Sequence, residues 1–262
     1  MPGLFDEQKT DEMPSLNFSW AVLAERLRFA AMPTRTFAAV LLDFDGTTVD
    51  SEPKHCAAHQ RFLKTQGIEL TEAEIYGNVG KSDRLFYLGL MERFGKHGDV
   101  FAWMAGKTEA LLDIYRSEGL ELRPGVKALL DHAFDQGVSV CLVTSTERRV
   151  AHLGLQIIGL DRRIQNRVCY EDVERRKPAP DPYLLAAARL GVPPQRCLAL
   201  EDSVSGMTSA AAAGTQTVGL VGLANAADLH AAGANRCVAS LAELIPLHLQ
   251  PGATGTFRRM AM

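Results

Sequence analysis

The stretch Val40-Leu41-Leu42-Asp43-Phe44-Asp45-Gly46-Thr47-Thr48-Val49-Asp50-Ser51 governs how the rest of the chain reads. The apolar run from Phe37 to Leu42 is short, unbroken and soon followed by Gly46, the pattern of a buried parallel strand. Asp43 and Asp45 follow it two residues apart, so on an extended backbone their side chains share a face. Gly46 permits the sharp turn that lets the backbone approach a ligand closely. Two acids beside bare N–H groups suit a phosphate only when a cation joins them. With Mg²⁺, one aspartate becomes ligand and nucleophile and the other a proton donor. An aspartate pair can also simply end a strand and begin a turn. A calcium loop fits poorly, because the spaced oxygen ligands and the closing glutamate are missing.

The 262 residues suffice for one large or two modest domains with a sizeable core. A hydrophobic fraction of 47% and a charged fraction of 23% are those of an ordinary globular protein. The net charge of −3 gives no broad attraction to nucleic acid or anionic lipid. No apolar run approaches the roughly 20 residues that span a bilayer. Cys56, Cys141, Cys169, Cys197 and Cys237 are scattered and odd in number, which suggests neither a disulfide framework nor a zinc site. The acidic start (Asp6, Glu7, Asp11, Glu12) is wrong for a secretory or organellar signal, so the expected location is cytoplasmic. The expected oligomeric state is a monomer or weak homodimer.

Four regions follow from the pattern. Residues 1–36 form an extension with one helix over Ser15–Ala31, marked by Leu16, Trp20, Leu23, Leu27 and Ala31 at helical spacing. Residues 54–120 read as helical throughout: His55–Gln66 opened by Pro53, a capping box at Thr71, then Leu85–Phe94 and Phe101–Arg116. This is a helical cap inserted into the first βα connection. Residues 37–53 plus 121–250 alternate strand and helix, which predicts an α/β fold with a doubly wound parallel sheet. The expected strands are Val138–Val143, Arg167–Cys169, Cys197–Leu200, Thr217–Leu220 and Cys237–Val238. The expected helices include Pro124–Gln136, Asp181–Leu190, Val204–Ala213 and Leu241–Leu247. The tail, 251–262, reads as loose.

In such a sheet the ligand crevice lies at the carboxyl ends of the strands. Asp43 and Asp45 follow Leu42; Thr144, Ser145 and Thr146 follow Val143; Glu201, Asp202 and Ser203 follow Leu200. Lys177 stands between the last two groups in Arg175-Arg176-Lys177-Pro178-Ala179-Pro180-Asp181. Any one group could be a helix cap or a surface residue. Together they supply acids for a metal and a nucleophile, hydroxyl and N–H donors for phosphate, and one lysine.

The chain resembles the haloacid dehalogenase superfamily, in the branch with a small helical cap that includes β-phosphoglucomutase and many sugar-phosphate phosphatases. Asp43-Phe44-Asp45-Gly46-Thr47 matches its first motif and Thr144-Ser145 its second. Lys177-Pro178-Ala179-Pro180-Asp181 matches the third, and Glu201-Asp202-Ser203 with Gly206 and Ala213-Gly214 the fourth. The resemblance implies that Asp43 attacks phosphorus and Asp45 is the acid–base group, with a pKa above that of its neighbour. It implies that Mg²⁺ is held by Asp43, the Asp45 carbonyl and Asp202, with Glu201 nearby or ligating through water. Thr144 and Lys177 would hold the phosphoryl oxygens, helped by N–H groups around Phe44 and Ser145.

A dehalogenase needs no magnesium, and Asp45, Glu201 and Asp202 argue against one. A phosphonate hydrolase of the branch has alanine where Asp45 stands. Between phosphatase and mutase, the cap loop Asn78-Val79-Gly80-Lys81-Ser82-Asp83-Arg84 is informative. The mutase pattern has lysine before this glycine and arginine three after it, where this chain has Val79 and Asp83. The expectation is a Mg²⁺-dependent phosphatase acting on a small phosphorylated metabolite, with His55, Lys81 and Arg84 as cap contacts. A β-phosphoglucomutase-type mutase is the alternative, and a catalytically silent partner-binding protein the third reading.

Overall fold

The computed structural model describes residues 37–78, 82–245 and 249. The helix expected over Ser15–Ala31, the cap residue Lys81 and the tail from Pro251 lie outside the described residues. The strands are β1 (Ala39–Leu42), β2 (Ser139–Val143), β3 (Asn166–Val168), β4 (Cys197–Glu201), β5 (Gln216–Leu220) and β6 (Arg236–Val238). They form one parallel sheet in the order β3-β2-β1-β4-β5-β6. β1 is therefore central, and its four side chains are fully buried, as an unbroken apolar run requires.

The helices are α1 (Glu52–Thr65), α2 (Glu72–Tyr76), α3 (Asp83–Arg93), α4 (Val100–Glu118), α5 (Val126–Asp135), α6 (Arg148–Ile157), α7 (Asp181–Leu190), α8 (Val204–Ala212) and α9 (Ala226–Ala231). Period-two alternation sorts the sheet residues. Ala39, Leu41, Cys141, Val143 and Ala199 share one face and pack with Tyr183, Ala186 and Ala187 of α7 and Ala210 of α8. α5 packs against β2 and α8 against β4 and β5.

The register positions the chemistry. Leu42 lies level with Leu142 on one side and Leu200 on the other. Asp43 thus emerges beside Glu201 and Asp202 to one side and Thr144 to the other. Asp43 N–H donates to Leu200 O at 3.1 Å and Thr144 N–H to Val168 O at 2.9 Å, which continues the ladder through the first residues of the crevice.

Helices α1 to α4 leave the core after β1 and return before α5, with their own apolar cluster. Phe62, Tyr87 and Trp103 meet edge to face at centroid distances of 5.8, 5.7 and 5.9 Å. Gly106 lets α1 and α4 approach, because a Cβ there would stand 2.3 Å from the Phe62 ring. The two passages between the sheet and helices α1 to α4 run side by side. Val49 bridges Leu122, Asp50 N–H donates to Glu121 O at 3.2 Å, and Arg123 N–H to Thr48 O at 2.9 Å.

Two boundaries differ instructively from the sequence expectation. α1 begins at Glu52, because Pro53 sits inside the first turn, where its missing N–H costs nothing. His55 therefore lies one turn into the helix. The helix expected over Leu241–Leu247 is a single 3₁₀ turn, Leu241–Leu244, capped by Ser240. Ile245 is extended (φ −100°, ψ 129°), as a residue preceding proline prefers, so the turn cannot propagate. No helix among the described residues is long and apolar enough to cross a membrane.

Candidate active site

At the end of β1, Asp43 is 6% exposed and faces two acids from β4 and its loop, Glu201 (0%) and Asp202 (4%). One oxygen from each of the three lies within 4.8 Å of the others. Opposite ligands of a cation with bonds of 2.0–2.6 Å stand about 4–5 Å apart, so this spacing suits one hard divalent ion. Gly46, at φ +73°, makes the approach possible: a Cβ there would fall 1.9 Å from Asp202 Oδ2. Gly206 does the same for Glu201, whose carboxyl atoms lie 2.0–2.1 Å from the position a Cβ would take. Thr47 Oγ1 donates to Asp202 Oδ1 at 3.2 Å.

Lys177 enters from the loop before α7. Its Nζ donates to Asp43 Oδ1 at 2.6 Å, Glu201 Oε1 at 2.5 Å and the Val143 carbonyl at 2.9 Å, and its side chain is 6% exposed. Tyr183 Oη donates to Glu201 Oε1 at 2.6 Å and Ser203 Oγ to Glu201 Oε2 at 3.1 Å. Glu201 thus anchors the lysine and is itself held by two hydroxyls. Three buried carboxyl groups against one ammonium leave an acidic excess. Burial and the Glu201 charge raise the Asp43 pKa well above the carboxylate range, with Lys177 opposing and Asp202 adding to the rise. Burial, with Glu201 and Glu52 nearby, pushes Asp202 up to about 7. A donor set of hard oxygens carrying surplus negative charge fits a divalent cation.

Asp45 is held differently. Ser51 Oγ donates to its Oδ1 at 2.7 Å, Thr146 Oγ1 to its Oδ2 at 2.5 Å, and His55 Nε2 lies 3.2 Å from Oδ1. Burial raises its pKa, but the His55 ring and the hydrogen bonds from His55, Thr146 and Ser51 outweigh burial and bring it below the carboxylate range. In the metal-free chain Asp43 is therefore raised and Asp45 lowered. The hydrogen-bond donors converge on Asp45, while Asp43 has acids for neighbours.

Behind His55 lies a residue with no motif to announce it. Lys107 of α4 is 6% exposed, with Nζ 3.0 Å from His55 Nδ1 and 3.3 Å from Asp83 Oδ2. An ammonium only donates, so Nδ1 accepts and Nε2 carries the hydrogen that faces Asp45. The signal was present in the sequence: Trp103, Lys107, Leu111 and Ile114 fall on one helical stripe, a charge inside an apolar face. Thr146, Ser51 and Tyr183 were likewise not assigned from sequence.

The other expected residues are found as follows. Thr144 is buried, and its hydroxyl accepts from Thr146 N–H at 3.0 Å; Phe44 is buried and Ser145 exposed. His55 borders a cavity of about 130 Å³ among α1 to α4, lined also by Glu52, His59, Asp83, Phe86 and Lys107. Arg84 is exposed, its guanidinium 6.0 Å from the Phe101 ring centroid, and is not among the residues lining this cavity. A larger surface groove of about 880 Å³ lies at the β3 edge. Its Arg148 and Arg189 are already paired with Asp172 at 2.6 and 2.7 Å, and it holds none of the strand-end acids.

A parallel sheet with an acid-lined crevice at its strand ends, and four helices inserted after its central strand, defines an α/β enzyme with a metal-ready site. Residues 37–214 match the model of the haloacid dehalogenase-like hydrolases, and the chain belongs to that family. It is 35% identical over 181 residues to hexitol phosphatase A of Escherichia coli, covering 68% of this chain and 80% of that protein. It is 33% identical over 194 residues to the CBBY-like protein of Arabidopsis thaliana, covering 68% of this chain and 61% of the longer relative. The crystal structure of CbbY from Rhodobacter sphaeroides in complex with phosphate superposes with a TM-score of 0.71 at 26% identity, over 80% of this chain and 96% of that one.

Proposed function

We propose that this chain is a magnesium-dependent phosphatase that hydrolyses a small phosphorylated metabolite, a sugar or polyol phosphate, through an aspartyl-phosphate on Asp43. The observation that carries the reading is the buried cluster of Asp43, Glu201 and Asp202 with Lys177 at its edge. Asp43, Asp202 and the Asp45 carbonyl would hold the ion, with Glu201 beside them holding Lys177. When bound, the cation would cancel the repulsion between the Asp43 carboxylate and an anionic phosphoryl group.

The remaining work falls to the chain itself. An Asp43 oxygen attacks phosphorus, the bond from phosphorus to the ester oxygen breaks, and that oxygen takes a proton from Asp45. Asp45 must first be protonated, and a dianionic phosphoryl group set against it raises its pKa. Asp45 then takes a proton from water as the water oxygen attacks phosphorus, which releases phosphate and restores Asp43. Thr144 and Lys177 bind the phosphoryl oxygens, with backbone N–H groups around Phe44 and Ser145. Helices α1 to α4 act as the cap over the crevice and exclude bulk water.

Hydrolysis is favoured over a mutase by Asp83, a carboxylate in the cap where a second phosphate would need cations. The names of the relatives, among them a hexitol phosphatase and a phosphorylated carbohydrates phosphatase, support the substrate class. A panel of phosphate monoesters, assayed for phosphate release with Mg²⁺ and with excess chelator, tests the proposal. Metal-dependent release from sugar or polyol phosphates is expected; silence across the panel, or full rates in chelator, would overturn it.

A further inference from the structure

The cap cavity adjoins the acid–base aspartate. His55 lies on its wall and reaches Asp45 Oδ1 at 3.2 Å, so a single imidazole stands between this space and the acid–base aspartate. The cavity of about 130 Å³ is roomy for several waters and suits a small leaving group.

Its charges are unevenly matched. Among the described lining residues Lys107 is the one lysine or arginine, while Asp83 and Glu52 are both carboxylic acids. Two of the three Lys107 donors are engaged, by Asp83 at 3.3 Å and His55 at 3.0 Å. His59 offers no compensating charge: burial and the nearby Lys107 lower its pKa to about 3, and its Nδ1 is 2.8 Å from Tyr87 Oη. Burial raises the Asp83 pKa, but the Lys107 ammonium 3.3 Å away outweighs it and brings it below its ordinary value.

We infer that Asp83 and Glu52 fit this cavity to the uncharged, hydroxyl-bearing body of a monophosphate ester and bar a second phosphate group from it. The inference rests on the phosphatase reading of the site and adds to it a specificity rule with named residues. Hydroxyl groups can donate to the two carboxylates and accept from the remaining Lys107 proton. A second phosphate can only accept, and it would bring about two negative charges against two acids whose one counter-cation among the described lining residues is already paired. The discrimination therefore comes from repulsion built into the wall as much as from attraction to the preferred substrate.

The test compares a hexitol monophosphate with the matching terminal bisphosphate, at saturating Mg²⁺, using an aryl phosphate as reference. The wild-type protein should favour the monophosphate by at least about tenfold in kcat/KM, mainly through KM. Asp83→Asn and Glu52→Gln should each shrink that ratio by about tenfold, equivalent to about 1.4 kcal/mol of lost repulsion. A merely structural effect would lower both substrates together and leave the ratio unmoved. Equal or better use of the bisphosphate by the wild type would overturn the inference, as would a ratio unchanged in both folded variants. Hydrolysis of the aryl phosphate with no discrimination sinks this inference alone. Silence with every ester overturns the phosphatase reading, and this one with it.

Discussion

Lys177 shows how tightly charge is balanced at the level of single residues. Its ammonium contacts Asp43 and Glu201 within 2.6 Å in a space closed to solvent, and those two carboxylates hold its pKa above the lysine range against the opposing effect of burial. Removing one partner of a buried pair strands the other charge without hydration, at a cost of about 3–5 kcal/mol. Lys177→Met should therefore lose thermal stability as well as turnover, whereas a lysine that only touched substrate would lose turnover alone. Chemical denaturation of the metal-free protein separates the two outcomes. Asp43, Asp45, Thr144, Lys177, Glu201 and Asp202 were legible in the sequence because each follows an apolar run or stands in a motif. Lys107 was not. It lies in mid-helix, and its partners His55 and Asp83 are 52 and 24 residues away, brought to it by cap packing. The hydroxyls that converge on Asp45 and lower its pKa in the metal-free chain come from Ser51 and Thr146, which no motif marks.

Among the elements, helices α1 to α4 carry a buried titratable group with a defined sign. His59 of α1 is 7% exposed and packs against Tyr87 and Phe86 of α3, with Lys107 of α4, Asp83 of α3 and His55 of its own helix as the charged or titratable neighbours. Its pKa is about 3 in the folded protein against about 6.5 when unfolded. Below pH 6.5 the unfolded chain takes up a proton that the folded chain refuses. The stability this residue contributes is therefore whole above about pH 6.5 and drains away as the pH falls toward 3, by up to about 1.4 kcal/mol per pH unit. His59→Gln removes the titration, so its melting temperature should fall less steeply than that of the wild type between pH 6.5 and 4. Parallel curves would contradict the assignment. The helices were visible in the sequence through their spacing and caps, and the capping box at Thr71 is formed as expected. Their boundaries depended on local constraints that spacing does not encode. Gly125, at φ +87° against the Leu241–Ala242 backbone, delays α5 until Val126, and the residue before Pro246 stops the last turn.

At the scale of the whole molecule, one parallel sheet gathers acids from segments some 160 residues apart, Asp43 and Asp202, onto one edge. The strand order places β1 between β2 and β4, and nothing more is needed to bring the motifs together. That topology was legible, because alternating strands and helices leave few other arrangements. A cluster with this much buried negative charge should gain from a cation that binds the folded state alone. Added Mg²⁺ should raise the melting temperature of the wild type, and the rise should be largely lost in Asp202→Asn; an equal rise in both would place the ion elsewhere.

In the proposed reaction Asp43 takes the phosphoryl group before water does. Rapid acid quench of the Mg²⁺-loaded protein during turnover of an aryl phosphate, followed by peptide mass mapping, tests it directly. One phosphoryl group is expected on the peptide spanning Asp43, and none in Asp43→Asn, which should fold but not turn over. Steady phosphate release with that peptide unmodified, or with the phosphoryl group on another residue, would contradict it.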